Sequence, residues 1–127
     1  MSYSLCEMGN TFNAIFDYQM KNQSIMLSKG MYDNFIDFDV GLPIDSPRLS
    51  SYHVQQLISE IGEVLDADKR WKNFRNDKYD KENKAEELAD CFIVLMNICM
   101  YSGLGAKDVE KAITKKLNIV TDRIIDS

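Results

Sequence analysis

The run CFIVLMNICMY at residues 91–101 constrains this chain more than any other feature. It is apolar on nearly every side of a helix, so that helix belongs at the centre of a packed assembly of helices. The run is also too short, and too broken by Asn97, to cross a bilayer, which takes about 20 apolar residues.

Three further stretches carry the same helical periodicity. Both prolines of the 127-residue chain, Pro43 and Pro47, fall in one segment, which leaves the rest free to be helical. A first helix is predicted to open at the capping-box pattern Ser4-Leu5-Cys6-Glu7 and to run to about Lys29, before Gly30. Leu5, Met8, Phe12, Ile15 and Phe16 share one side of it. Residues 30–46 form a long connection with Met31, Tyr32, Phe35 and Phe38, followed by Gly41 and Pro43, and read as either a lid or a packed loop. Ser46-Pro47 is a helix start, with serine as N-cap. The second helix then presents Val54, Leu57, Ile58, Ile61, Val64 and Leu65 as one apolar stripe.

Residues 73–81 are polar turn material, and a third helix is predicted over residues 81–102. Gly103-Leu104-Gly105 stops it, and a fourth carries Ala106, Val109, Ile113, Leu117, Val120 and Ile124. No stretch reads as a strand. The expectation is one all-α domain over residues 1–127, a four- to five-helix bundle. Its helices have more apolar faces than one such bundle can cover, which predicts a homodimer or homotetramer.

Twenty Asp+Glu against 15 Lys+Arg leave a net charge of -5 with no separate basic block. That argues against nucleic acid or an anionic membrane as the primary partner, and an acidic protein that handles a polyanion needs a cation between them. Cys6, Cys91 and Cys99 form no CxxC pair, and with no secretory leader in view they read as reduced thiols of a cytoplasmic protein. Cys91 and Cys99 sit in the apolar run as packing residues. His53, the single histidine, has no Cys or His neighbour at metal-ligand spacing, which argues against structural zinc.

Two acidic dyads carry the chemistry: Glu60-Ile61-Gly62-Glu63 on the second helix and Glu87-Leu88-Ala89-Asp90 on the third. Residues three apart on a helix are neighbours on its surface, so each dyad points two carboxylates the same way. At about 100° per residue, Glu60 and Glu63 lie roughly 100–160° from the apolar stripe of their helix, so core packing does not explain them. Asp90 directly precedes the apolar run, where burial is expected, and Asn97 falls near the line of Glu87 and Asp90. Carboxylates that repel one another are relieved by a shared divalent cation, and a set of hard oxygen ligands suits Mg²⁺, with Mn²⁺ as the substitute. The plainer alternative is that these acids are solvated helix faces.

Glu-x-x-Glu followed after 23 residues by Glu-x-x-Asp resembles the all-α nucleoside triphosphate pyrophosphohydrolases, the superfamily of MazG and the dimeric dUTPases. The resemblance covers about residues 52–124. It implies that Glu60, Glu63, Glu87 and Asp90 are metal ligands and catalytic groups, and that water attack releases nucleoside monophosphate and pyrophosphate. Lys69-Arg70-Trp71-Lys72-Asn73 is similar to the Lys/Trp-rich element of the dimeric dUTPases and their dCTP-cleaving relatives. Lys69 and Lys72 can offset triphosphate charge, and Trp71 can stack on a base or wall off the pocket; as a lone tryptophan it also fits a core or an interface.

The family's late Lys, Asn and Arg pattern is approximated by Lys115, Asn118 and Arg123, with a longer gap before the Arg. Lys115, Asn118 and Asp122 share a helical face and are candidate substrate contacts. A first helix supplies base contacts in the family, which makes Asn13 and Gln19 candidates alongside the alternative of ordinary exposed amides. The resulting expectation is a Mg²⁺-dependent nucleoside triphosphate pyrophosphohydrolase for dUTP or dCTP. Its rivals are a catalytically silent nucleotide-binding bundle, phosphoribosyl-ATP pyrophosphohydrolase, and a ligand-free oligomerisation module.

Overall fold

The computed structural model describes residues 5–34, 41–72 and 77–127, with side chains from residue 10 onward. Expectations placed on Ser4, on the side chains of Leu5, Cys6, Glu7 and Met8, and on Phe35, Phe38 and Asn73 lie outside the described residues. The fold is all-α. It consists of α1 (Leu5–Ser28), α2 (Pro47–Ala67), α3 (Lys81–Met100) and α4 (Ala106–Asp126), with a 3-10 turn at Lys69–Trp71 between α2 and α3. The dominant pairing is α2 against α3, and α1 packs on both α3 and α4.

The helix boundaries follow local chemistry. Ser46 Oγ accepts the Leu49 backbone N–H at 3.4 Å, with Pro47 in the first turn, as the sequence predicts. Asp80 caps α3 by accepting from the Asn83 N–H at 3.0 Å. α3 ends at Met100, two residues before the predicted end, because Gly103 takes φ +79° and the Leu104 N–H turns back to the Cys99 carbonyl at 3.0 Å. The carboxylate of Asp108 then accepts from the Gly105 N–H at 2.9 Å and starts α4.

The described part of the long connection is packed against the helices. Tyr32 is buried, and Leu42 and Ile44 pack on the core. The Ile44 and Ser46 N–H groups donate to the carbonyls of Met100 and Tyr101, both at 2.8 Å, and the Gly103 N–H donates back to Ile44. Those bonds tie the entrance of α2 to the exit of α3.

The core sits at this end of the α2–α3 pair. Phe16, Leu49, Met100 and Tyr101 are each at 0% exposure, joined by Leu27, Tyr32 and Ala106. Two tyrosine hydroxyls, those of Tyr32 and Tyr101, donate to Gln23 Oε1 at 2.8 Å each, which satisfies the polar atoms inside. His53 stacks on Tyr101 with ring centroids 5.3 Å apart.

Two expectations about burial need correction. The apolar run is not enclosed within one chain: Val94, Asn97, Met100 and Tyr101 are buried, but Phe92 is 66% exposed and Leu95 46%. Likewise α2 buries Leu49 and His53 while Val54, Ile58, Ile61 and Leu65 of its apolar stripe stay exposed. The reason is rotational: α2 turns toward α3 the face that carries Leu49, His53, Glu60 and Glu63, roughly 100° from the stripe. On α4, Ala106 and Val109 reach the core, and Ile113, Leu117, Val120 and Ile124 beyond them do not. Cys99 packs against the core and Cys91 is half-buried, in line with their reading as packing thiols.

Candidate metal centre

α2 and α3 bring the two dyads together. One ligand oxygen from each of Glu60, Glu63, Glu87 and Asp90 can be chosen so that all four lie within 4.8 Å of one another. Glu60 and Glu87 are half-buried, whereas Glu63 and Asp90 are exposed. Asp90 thus departs from the burial expected beside the apolar run: it faces the α2 carboxylates at the exposed rim of the cluster.

Repulsion and burial shape the site's electrostatics. A hydrogen bond shared with Glu63 holds the Glu60 carboxyl above the usual glutamate range, with burial and the neighbouring carboxylates adding to it. Burial is the first cause of the upward shift at Glu87, followed by the charges of Glu63 and Asp90. Burial and then the charge of Glu60 push the Cys91 thiol up, which keeps it protonated beside the acids. Glu60 Oε2 and Glu87 Oε2 are buried with no hydrogen-bond partner among the described residues. Crowded carboxyl groups, two of them with a buried oxygen that has no partner among the described residues, fit a divalent cation.

Beyond the end of α2, the 3-10 turn carries the predicted Lys/Trp element as far as it is described. Trp71 is 56% exposed and its indole N–H donates to the Leu65 carbonyl at 3.1 Å. The Lys72 ammonium lies 5.4 Å from the centre of its ring, and Lys69 is half-buried in the same turn. The large ring is therefore held at the tip of the hairpin with a face open to solvent, and it is no core tryptophan.

The later candidates lie elsewhere. Lys115 and Asn118 line a groove between α1 and α4 of about 730 Å³, together with Asn10, Asn13, Lys107 and Lys111. None of the four carboxylates borders that groove. Asp122 and Arg123 are exposed on the last turns of α4. Gln19 is no free amide: its Nε2 donates to Asn97 Oδ1 at 2.9 Å, and its Oε1 accepts from Asn22 at 3.3 Å. The same stretch of α1 and the next turn of α3 after Asp90 form a second groove, lined by Ile15, Tyr18, Gln19, Asn22, Ile93 and Met96.

Sequence reasoning missed Asp68 and Lys84, and it named Arg70 within the Lys/Trp element without its pairing to Asp68. Asp68, buried just past α2, receives Arg70 Nε at 2.8 Å, Arg70 Nη2 at 2.7 Å and Lys84 Nζ at 2.9 Å. These bonds hold its carboxyl far below the usual range, with Arg70 the largest cause. The available signal was an aspartate at the helix end with a cation two residues on. Nothing local pointed to Lys84.

A family model for the MazG nucleotide pyrophosphohydrolase domain matches residues 50–123, a span that holds all four carboxylates. The chain belongs to this family. As a MazG domain it carries nucleoside triphosphate pyrophosphohydrolysis as its class of activity, and its acidic cluster fits the metal dependence typical of MazG domains. The matched span begins after α1 and therefore leaves both α1-bordered grooves partly outside it. Comparison with curated proteins and with solved structures gives no match. Among the described residues, no helix is long and apolar enough to cross a membrane.

Proposed function

We propose that this MazG domain hydrolyses pyrimidine deoxynucleoside triphosphates, dUTP or dCTP, to the monophosphate and pyrophosphate with Mg²⁺, or Mn²⁺ in its place. The observation that carries the reading is the convergence of Glu60, Glu63, Glu87 and Asp90, two of them with orphaned buried oxygens. A divalent ion held there supplies charge neutralisation and Lewis acidity toward the phosphate oxygens. Glu60 and Glu87, the half-buried pair, set the floor of the site. Glu63 at its exposed rim accepts the proton of the attacking water, and Asp90 completes the ligand set. Lys69 and Lys72, at the hairpin tip, offset triphosphate charge.

Support for a pyrimidine comes from the groove beside Asp90. Its walls are Ile15, Tyr18, Ile93 and Met96, and its polar groups are the linked amides of Asn22 and Gln19. Gln19 is held in place by Asn97, so its remaining N–H is pre-oriented for a base edge. Trp71, 56% exposed at the hairpin tip, is available to stack on the base. Lys115 and Asn118 join the site as sugar or phosphate contacts when a second copy packs on the first. The exposed stripes of α2, α3 and α4 support that homodimer or homotetramer, since covering each Ile, Leu or Phe is worth roughly 1.5–3 kcal/mol.

A panel of nucleoside triphosphates with Mg²⁺, scored separately for pyrophosphate and inorganic phosphate, tests the proposal. The expected result is pyrophosphate release with dUTP or dCTP favoured about 5- to 150-fold over dATP and dGTP, the range of one unpaired amide. Equal cleavage of purines overturns the pyrimidine preference, and phosphate release overturns the reaction. A Trp71→Ala variant with unaltered selectivity removes that residue from base recognition. Light scattering that finds only a monomer overturns the oligomer.

A further inference from the structure

The four carboxylates repel one another, yet the hairpin that carries them is closed. Along α2 toward its end and α3 toward its start, the acidic cluster is followed, about one turn on, by the opposite situation. Asp68 lies five residues past Glu63, Lys84 three residues before Glu87, and the two meet at 2.9 Å. This is a cross-helix attraction in the antiparallel register of the dyads. Both partners are constrained: the Asp68 side chain is 8% exposed and that of Lys84 31%. Arg70 grips the same carboxylate through two N–H groups and its backbone N–H, while its guanidinium lies 3.8 Å above the centre of the Tyr79 ring. One carboxylate therefore joins the end of α2, the turn after it and the first turn of α3.

We propose that the Asp68–Arg70–Lys84 cluster is a positioning lock that holds the metal-free carboxylates together, so that the cation meets a preassembled site. The inference rests on the metal reading of the four acids. Without the lock, repulsion among Glu60, Glu63, Glu87 and Asp90 spreads this end of the hairpin, and binding must first close it. Asp68 and Lys84 lie outside the set of four converging carboxylates. Their effect travels through the helix ends they join, as outer-shell partners tune a metal site.

Lys84→Met gives a test with a distinctive sign. By charge alone, deleting a lysine one turn from a cation site tightens cation binding. By the lock, it weakens binding. The measurement is Mn²⁺ affinity, read from the paramagnetic resonance signal of free Mn²⁺ at a temperature where circular dichroism shows each variant folded. Lys84→Met is expected to bind Mn²⁺ about 10-fold more weakly than wild type, and Lys84→Arg to bind as wild type does. Asp68→Asn is expected to match Lys84→Met; if it fails to fold, Lys84→Met, which leaves Arg70 on Asp68, decides alone. Unchanged or tighter Mn²⁺ binding by folded Lys84→Met overturns the lock and leaves the metal site standing. Wild-type protein that binds no Mn²⁺ overturns the metal reading and the lock with it.

Discussion

The two ends of the α2–α3 hairpin are held by different physics. At the end where α2 begins and α3 finishes, Leu49, Met100, Tyr101 and Phe16 exclude water, and the Gln23 amide satisfies the two tyrosine hydroxyls. At the other end the described residues form no comparable apolar core: four carboxylates face one another, and Asp68 with its two cations holds the tip. Stability and chemistry are thus separated along one pair of helices. Burial strength is concentrated away from the acidic cluster, and mutual repulsion is tolerated where the proposed cation would sit.

The largest expected effect breaks the apolar end. Phe16→Ala should cost about 3–5 kcal/mol of stability in urea unfolding, the scale of a large buried aromatic, while Mn²⁺ affinity of the folded fraction stays unchanged. A parallel loss of metal affinity would show that the two ends are one cooperative unit. At the other end, Glu63→Gln and Asp90→Asn should each lower pyrophosphohydrolase turnover by at least ~100-fold without lowering the metal-free melting temperature. Near-wild-type turnover in either would break the assignment of that residue to the site.

Smaller effects sharpen the contrast through pH. Glu60 and Glu87 have folded-state values raised above the usual 4.5, so the penalty of ionising them is absent below about that pH and grows as pH rises through the raised values. Glu60→Gln should therefore raise the metal-free melting temperature by about 3 °C at pH 7 and leave it unchanged at pH 4. His53, at the apolar end, shifts the opposite way. Burial holds its imidazole below the usual 6.5, its Nδ1 lies 3.0 Å from Gln56 Oε1, and its buried Nε2 has no partner among the described residues. Its contribution is complete above pH 6.5 and is lost as pH falls from there toward the folded value. His53→Phe should flatten that decline, an effect of about 2 °C or less between pH 5 and pH 6.5. A decline that persists in His53→Phe would assign it to another group.

Much of this arrangement was legible in the residues. Ser46-Pro47 and Gly103 mark their helix boundaries because capping and left-handed backbone are local properties, written within four residues. The dyads were legible for the same reason: an i,i+3 pair on a helix shares a face whatever surrounds it. Burial was less so. Phe92 and Asp90 were expected inside from the apolar run, and both are exposed in the single chain, since burial depends on which surface arrives from elsewhere.

By itself, then, the sequence determined that the chain is helical, where three of its helices start or stop, and which four carboxylates point together in pairs. Only the tertiary structure decided that α2 meets α3 with its acidic face rather than its apolar stripe, that Gln19 is bound to Asn97, and that Asp68 reaches across to Lys84. Helix periodicity records the angle of each residue about its own axis. The rotation of one helix against another is set by the sum of all the contacts between them, here by Leu49, His53, Met100 and Tyr101 at one end and by one buried aspartate at the other.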